Sequence, residues 1–208
     1  MSKRKQVVQI IHALRKATRD MPEPMSTIIA KEYHKDPYII LISCLLSLRA
    51  RDVVTLPISR KLFSTVKTPQ QMVKMSQSEL EKIIHPLGFF RRKATVLRQV
   101  SKELIDRFHG KVPHTQEELM SLPGVGIKTA NLVLGVAFDI PALCVDTHVH
   151  RLSNQLGLVH TKTPEQTEKA LQKVIPRNNW IEWNHLLVKW GQSRKPITEL
   201  SIKKERKS

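Results

Sequence analysis

Apolar side chains recur three and four residues apart along most of this chain, and no run of strictly alternating apolar and polar residues is sustained. That spacing lines one face of a 3.6-residue helix, so it predicts an all-α protein. Val7, Ile10, Ile11, Leu14 and Ala17 form the first stripe, with Lys5, Gln6, Arg15 and Lys16 opposite, and Pro22 and Pro24 end it. Asp36 and Pro37 then supply a cap and a first-turn proline for a helix running to Leu48. This helix has no polar face and reads as central and buried, being far shorter than the ~20 residues of a membrane span. A break at residues 49–52 leads into a helix over 53–66, and Pro86-Leu87-Gly88 punctuates the chain before a long helix over 90–108. Ala94, Leu97, Val100, Leu104, Ile105 and Phe108 are its expected inner face. A last helix, over 180–190, carries Trp180, Trp183 and Trp190, which we read as packing residues.

Local start signals support the same class. Thr68-Pro69-Gln70-Gln71, Ser76-Gln77-Ser78-Glu79, Thr115-Gln116-Glu117-Glu118 and Thr163-Pro164-Glu165-Gln166 each place an oxygen-bearing cap three residues ahead of Glu or Gln. The cap accepts from a main-chain N–H of the first turn, and the acid or amide can return the favour. With only 7 glycines in the chain, a hairpin-rich β fold is not indicated.

Chemistry concentrates in residues 122–151, LPGVGIKTANLVLGVAFDIPALCVDTHVHR. Leu122-Pro123-Gly124-Val125-Gly126 predicts a tight turn, after which helix resumes. A helix start behind such a turn leaves main-chain N–H groups unpaired at the positive end of the dipole, a setting that suits a phosphate. Lys128 falls in that first turn, where positive field and partial desolvation are expected to weaken its hold on a proton and free an amine nucleophile. On the turn alone a plainer role for Lys128, a second phosphate ligand, is the favoured reading. Asp146 changes the balance. The helix from Ile127 to about Ala137 is about 15 Å long at 1.5 Å per residue, and residues 138–145, extended at up to ~3.3 Å each, can carry the chain back to its start. Asp146 also reads as the cap of the next helix, with Val149, Leu152 and Leu156 as its buried stripe. A capping carboxylate stays ionised and can steady a nearby developing cation, so the two roles are compatible.

Charge narrows the partners. Lys and Arg number 35 against 18 Asp and Glu, a formal net charge of +17. That excess attracts polyanions through salt-sensitive contacts, although a ribosomal or membrane-surface protein would share it. The only cysteines, Cys44 and Cys144, lie in apolar runs, which fits a reducing compartment better than a disulfide framework. No apolar segment follows MSKRK, so no signal peptide is expected. His148 and His150 are two apart on a helix and point in different directions, so no metal site is expected from them.

LPGVGIKTAN and VDTHVHR together resemble the helix-hairpin-helix DNA glycosylase superfamily, specifically its endonuclease III branch. LLSLRARD at 45–52, LGFFRRKA at 87–94 and TKTPEQTEKAL at 161–171 resemble it in the same order, and the likeness covers about residues 37–191. The resemblance implies a two-lobed all-α fold with the active site in the cleft between lobes. Residues 1–36 are then the N-terminal part of one lobe, 37–137 the middle lobe ending in the hairpin, 138–191 the completion of the first lobe, and 192–208 a basic tail. It implies that Lys128 and Asp146 are the catalytic pair of a DNA glycosylase and abasic-site lyase acting on oxidised pyrimidines. DNA-contacting residues implied are Leu122, Pro123, Gly124, Val125, Gly126, Thr129, Arg49, Phe89, Arg91, Arg92, Lys93, His148 and Arg151, with Ser47 and Asp52 lining a lesion pocket. The partner is double-stranded DNA holding damaged bases or abasic sites; the protein is expected to be a monomer, away from membranes, in the cytoplasm or, in a eukaryote, the nucleus. A monovalent cation held by carbonyls of the turn at 122–125 is permitted.

Two departures matter. The branch usually holds an iron-sulfur cluster on four cysteines after its last helix, whereas this chain continues GQSRKPITELSIKKERKS, so no such cluster is expected and no cofactor is required. Arg194, Lys195, Lys203, Lys204, Arg206 and Lys207 are expected to replace some of the cluster loop's phosphate contacts. Arg49 stands where the family tends to have glutamine, in the loop that probes the gap left by an extruded nucleotide; Phe89 matches the other inserting position. The mispair-specific adenine glycosylases lack the lysine and carry a glutamate where Cys44 stands. Glycosylases of 8-oxoguanine or of mismatches, and a hairpin protein that binds DNA without cutting it, are the alternatives.

Overall fold

The computed structural model describes residues 3–201 and is helical throughout, with no strand among the described residues. In chain order the helices are α1 (Lys3–Ala17), α2 (Met25–Glu32), α3 (Pro37–Ser47), α4 (Asp52–Phe63), α5 (Pro69–Lys74), α6 (Gln77–Ile84), α7 (Phe90–Phe108), α8 (Gln116–Met120), α9 (Ile127–Phe138), α10 (Thr147–Gln155), α11 (Pro164–Gln172) and α12 (Trp180–Gln192). Of the basic tail, only Arg194 and Lys195 among the named cations fall within the described residues.

The predicted starts are where the caps lie. Asp36 accepts from the Ile39 N–H at 2.9 Å, with Pro37 opening α3. Thr68, Thr115 and Thr163 accept from Gln71, Glu118 and Gln166 N–H groups. Ser76 and Glu79 complete the reciprocal capping box of α6. Each such cap is worth about 1 kcal/mol.

The chain divides into two compact units, Met25–Ile140 and a discontinuous one formed by residues up to Pro24 with those from Pro141 on. In the continuous unit α3 is the axis: every residue from Tyr38 to Leu46 is buried, and α2, α4, α7 and α9 pack around it. A helix apolar all round is stable only when wrapped in this way. A buried polar tie joins α3 to α7, Tyr38 Oη to Ser101 Oγ at 2.7 Å. The helix α2, which the apolar pattern does not announce, belongs to this unit; the Asp52 carboxylate accepts from its first N–H, Met25, at 3.1 Å. Lys35 and Asp139 join its two ends through an ion pair at 2.6 Å.

In the discontinuous unit α1 brings Val7, Ile10 and Leu14 to a core shared with Leu152 of α10, Leu171 of α11, and Trp183 and Trp190 of α12. The tryptophans at 183 and 190 are therefore packing residues, and Trp180 is partly buried against the same cluster. Arg15 on α1 meets Glu182 on α12 bidentately at 2.6 and 2.8 Å. Among the described residues no helix is long and apolar enough to cross a membrane.

Candidate active site

The hairpin is built from α8, the turn at 121–126 and α9. Gln116 Nε2 donates to Asn131 Oδ1 at 2.6 Å, holding the two helices together. Gly124 takes φ +75°, and a Cβ there would stand 3.0 Å from Val96 Cγ1 on α7, so this position requires glycine twice over. The Val125 N–H closes the turn on the Leu122 carbonyl at 3.2 Å. The side chains of Leu122, Val125 and Thr129 are buried, Pro123 is half-buried, and Gly124 and Gly126 are exposed. What this turn offers a ligand is main chain. Gly126 is the N-cap of α9 and brings no side-chain acceptor to the first turn, unlike the capped starts of α3, α6 and α10; the leading amides keep their appetite for an anion.

Lys128 lies in that first turn, exposed at the surface. Within the same unit it is electrostatically close to Cys44 on α3. Burial pushes the Cys44 thiol up to about 12, against the opposing pull of the Lys128 charge and of a hydrogen bond from Ser43, with Asp52 adding to the rise. A thiol so perturbed is no nucleophile at neutral pH. We expect Cys44 to resist a thiol reagent at pH 8 in the folded protein and to react once the chain is unfolded; equal rates in both states would refute the burial. Since the folded thiol holds its proton above its ordinary 9.0, this group's contribution to stability is full below that pH and falls as pH rises towards 12.

Asp146 is the N-cap of α10, accepting from the Val149 N–H at 2.8 Å, and its carboxylate is half-buried. In that unit His148 packs its ring on α12: a Cβ at Gly191 would come within 2.4 Å of His148 Nδ1. His150 Nδ1 meets Thr167 Oγ1 of α11 at 2.6 Å. Arg151 is exposed and donates to Gln155 Oε1 at 3.2 Å.

Two surface loops of the continuous unit share an uncommon feature. Arg49, between α3 and α4, has φ 54°, and Phe89, the N-cap of α7, has φ 59°. A non-glycine residue in the left-handed region costs about 1–2 kcal/mol, and such strain gathers at working surfaces. Phe89 is 65% exposed, an unusual place for a phenyl ring, and Leu48 is exposed beside Arg49. The two loops border one hollow of about 380 Å³, lined by Arg49, Ala50, Arg51, Val54, Pro86, Leu87 and Gly88. Arg51 and Leu48 also belong to this surface; both lie within the LLSLRARD stretch, but the sequence reading names neither as a site residue.

Arg91 and Arg92 are exposed on the first turn of α7, which holds no acidic residue. Cations there oppose the helix dipole, and an anion from outside would reverse that sign. Lys93 departs from the expected phosphate contact. It is only 9% exposed, and its ammonium donates to the carbonyls of Leu46 and Leu48 at 2.7 and 2.6 Å, with Leu45 at 3.5 Å. Its three donors face protein acceptors, and burial holds the group below the ordinary lysine value. Ser47 and Asp52 are half-buried: Ser47 Oγ donates to the Cys44 carbonyl at 2.8 Å, and Asp52 caps α2. Among the described residues no group of three or more His, Cys, Asp or Glu side chains is placed to hold a metal ion.

Comparison with known proteins gives consistent results. Residues 42–177 match the model of the HhH-GPD superfamily base excision DNA repair protein. Endonuclease III of Thermotoga maritima is 46% identical over 177 residues, 83% of this chain and 83% of that protein. Among solved structures, a trapped covalent intermediate of endonuclease III with DNA superposes with TM-score 0.82 at 34% identity, covering 93% of this chain and 87% of that one. A thermostable thymine-DNA glycosylase superposes with TM-score 0.79 at 25% identity, covering 96% and 93%.

Proposed function

Because the chain belongs to the HhH-GPD superfamily of base excision DNA repair proteins, we propose that it removes oxidised pyrimidines from duplex DNA and then cuts the strand as an abasic-site lyase. The observation that carries this reading is Lys128 on the uncapped first turn of α9, directly behind a main-chain turn suited to phosphate. The turn anchors the backbone, and the amine is the nucleophile.

The damaged nucleotide leaves the stack, at a cost of a few kcal/mol that a lesion lowers. Lys128 Nζ attacks C1′ as the C1′–N bond breaks, and the base departs with that electron pair and takes up a proton. Positive character on the sugar is met by the carboxylate of Asp146, which the N-cap bond from the Val149 N–H holds in place. Opening of the sugar ring gives a protonated Schiff base on Lys128. That cation acidifies C2′; loss of a C2′ proton expels the 3′ phosphate by β-elimination, and water hydrolyses the imine to free the lysine. Arg91 and Arg92 contact the backbone, and Arg49 and Phe89 enter the gap left by the extruded nucleotide, their left-handed backbones projecting them outward.

No step passes through a metal or cluster. The 208 residues hold Cys44 and Cys144 alone, both buried, so this sequence lacks the four thiolates of a [4Fe-4S] site. Carbonyls at 122–125 are suitable donors for a monovalent cation bridging to phosphate, and we include it as an auxiliary to backbone binding. Duplexes bearing thymine glycol, oxidised cytosine, 8-oxoguanine or a G·T mismatch test the substrate. Release of the oxidised pyrimidines at least tenfold faster than the others is expected; preference for 8-oxoguanine or for the mismatch would overturn the assignment.

A further inference from the structure

The hydrogen bonds of Lys93 join two parts of the chain that the proposed reaction uses separately. Its ammonium holds the last carbonyls of α3, including that of Leu48, whose peptide bond leads into Arg49. Its main-chain N–H donates to the Phe89 carbonyl at 2.9 Å. The main-chain bond is the i→i−4 bond that opens α7 at its N-cap Phe89, and the ammonium ties that first turn to the carbonyl preceding Arg49, so the contacts of Lys93 run from one of these two left-handed residues to the other. At the end of α3 the Leu45 carbonyl also accepts from the Leu48 N–H at 3.4 Å, and the ammonium, at this negative end of the dipole, supplies a donor of favourable sign to the carbonyls of Leu46 and Leu48. An apolar residue at 93 would fill the same volume while leaving those buried carbonyls unpaired.

We propose that Lys93 is a positioning residue: it clasps the 48–51 loop to the start of α7, so that Arg49 and Phe89 reach DNA as one rigid two-pronged probe and extrude the damaged nucleotide together. This rests on the glycosylase reading above and adds to it a division of labour. Lys128 carries the bond chemistry, while the clasp governs only the step that precedes it. Neither loop has regular structure of its own to hold a strained backbone, so the clasp supplies what a helix would supply elsewhere. Leu87, buried under the second loop, gives it a fixed floor, and the exposed Phe89 ring is aimed by the backbone instead of by packing.

The test is Lys93→Met in the full chain, with three readouts. Hydrogen exchange at the Leu48, Ala50 and Lys93 amides is expected to accelerate together by roughly tenfold, while amides of α1 and α12 keep their wild-type rates. Base excision from a lesion duplex is expected to slow about 10- to 100-fold, mainly in kcat, whereas cleavage at a preformed abasic site, which has no base to extrude, changes less than about threefold. Unchanged exchange, or equal losses on the two substrates, would overturn the proposal; equal losses would mean a merely structural lysine. Should Lys93→Met fail to fold, a cycle of Arg49→Ala and Phe89→Ala in the wild-type background decides the same point. Prongs held as one unit give a double variant at least about fivefold off the product of the single effects, and simple multiplication of the two overturns the clasp. If the wild-type protein releases no base from any duplex, the glycosylase reading falls on its own, and the exchange rates still decide whether Lys93 couples the two loops.

Discussion

Lys128→Ala is expected to abolish the covalent adduct that borohydride traps between this protein and abasic DNA, and to lower base excision by three to six orders of magnitude, as loss of a catalytic nucleophile does. The change is confined to the reaction. Lys128 is an exposed residue on the first turn of α9, so truncation leaves the α3 core intact and alters stability by no more than the ~0.5 kcal/mol usual for a surface site. The turn at 122–126 and the leading amides of α9 remain, so duplex binding weakens only by the loss of one positive charge. Gel trapping with equal protein and an electrophoretic binding assay separate the two quantities. An adduct that survives in Lys128→Ala would place the nucleophile elsewhere and end the lyase mechanism proposed for it.

Asp146→Asn separates the cap that Asp146 provides to α10 from the electrostatic role proposed for it. Asparagine caps a helix about as well as aspartate, and the Val149 N–H now bonded at 2.8 Å keeps an acceptor. Thermal stability should therefore hold, while turnover is expected to fall about 10²- to 10⁴-fold through loss of the charge proposed to meet the developing cation. Asp146→Ala is the complementary variant: it loses turnover and also about 1 kcal/mol from the start of α10. Equal decline of turnover and DNA affinity in Asp146→Asn would reduce this residue to its cap.

Local rules made much of this protein legible. The starts at Asp36, Thr68, Ser76, Thr115, Asp146 and Thr163 are each decided within four residues, so the sequence announces them. The same holds for the turn at 122–126, where Gly124 has both the torsion and the tight contact that glycine signals. Non-local partners were not legible. The helix α2 follows Pro22 and Pro24, reads as a connection, and is capped by Asp52 from 27 residues away. Lys93 sits in a basic run that looks like phosphate ligands, and only the fold reveals that its acceptors lie 45 to 48 residues earlier. Gly88 looks like the flexible residue of its turn, whereas the positive φ falls on Phe89. In each case the deciding interaction is a tertiary one, for which residue spacing carries no signal.

The discontinuity of one unit sets an order of events during synthesis. Residues 25–140 are contiguous, so α3 meets all of its wrapping helices as soon as α9 has left the ribosome. The first helix has no such prospect: the apolar stripe of Val7, Ile10 and Leu14 completes its core only with Trp183, Leu187 and Trp190, more than 160 residues later. At ~5–20 residues per second this leaves the α1 stripe waiting for roughly ten seconds or more. Its exposed face carries Lys3, Arg4, Lys5, Arg15 and Lys16, and mutual repulsion among these charges keeps nascent chains apart through that interval.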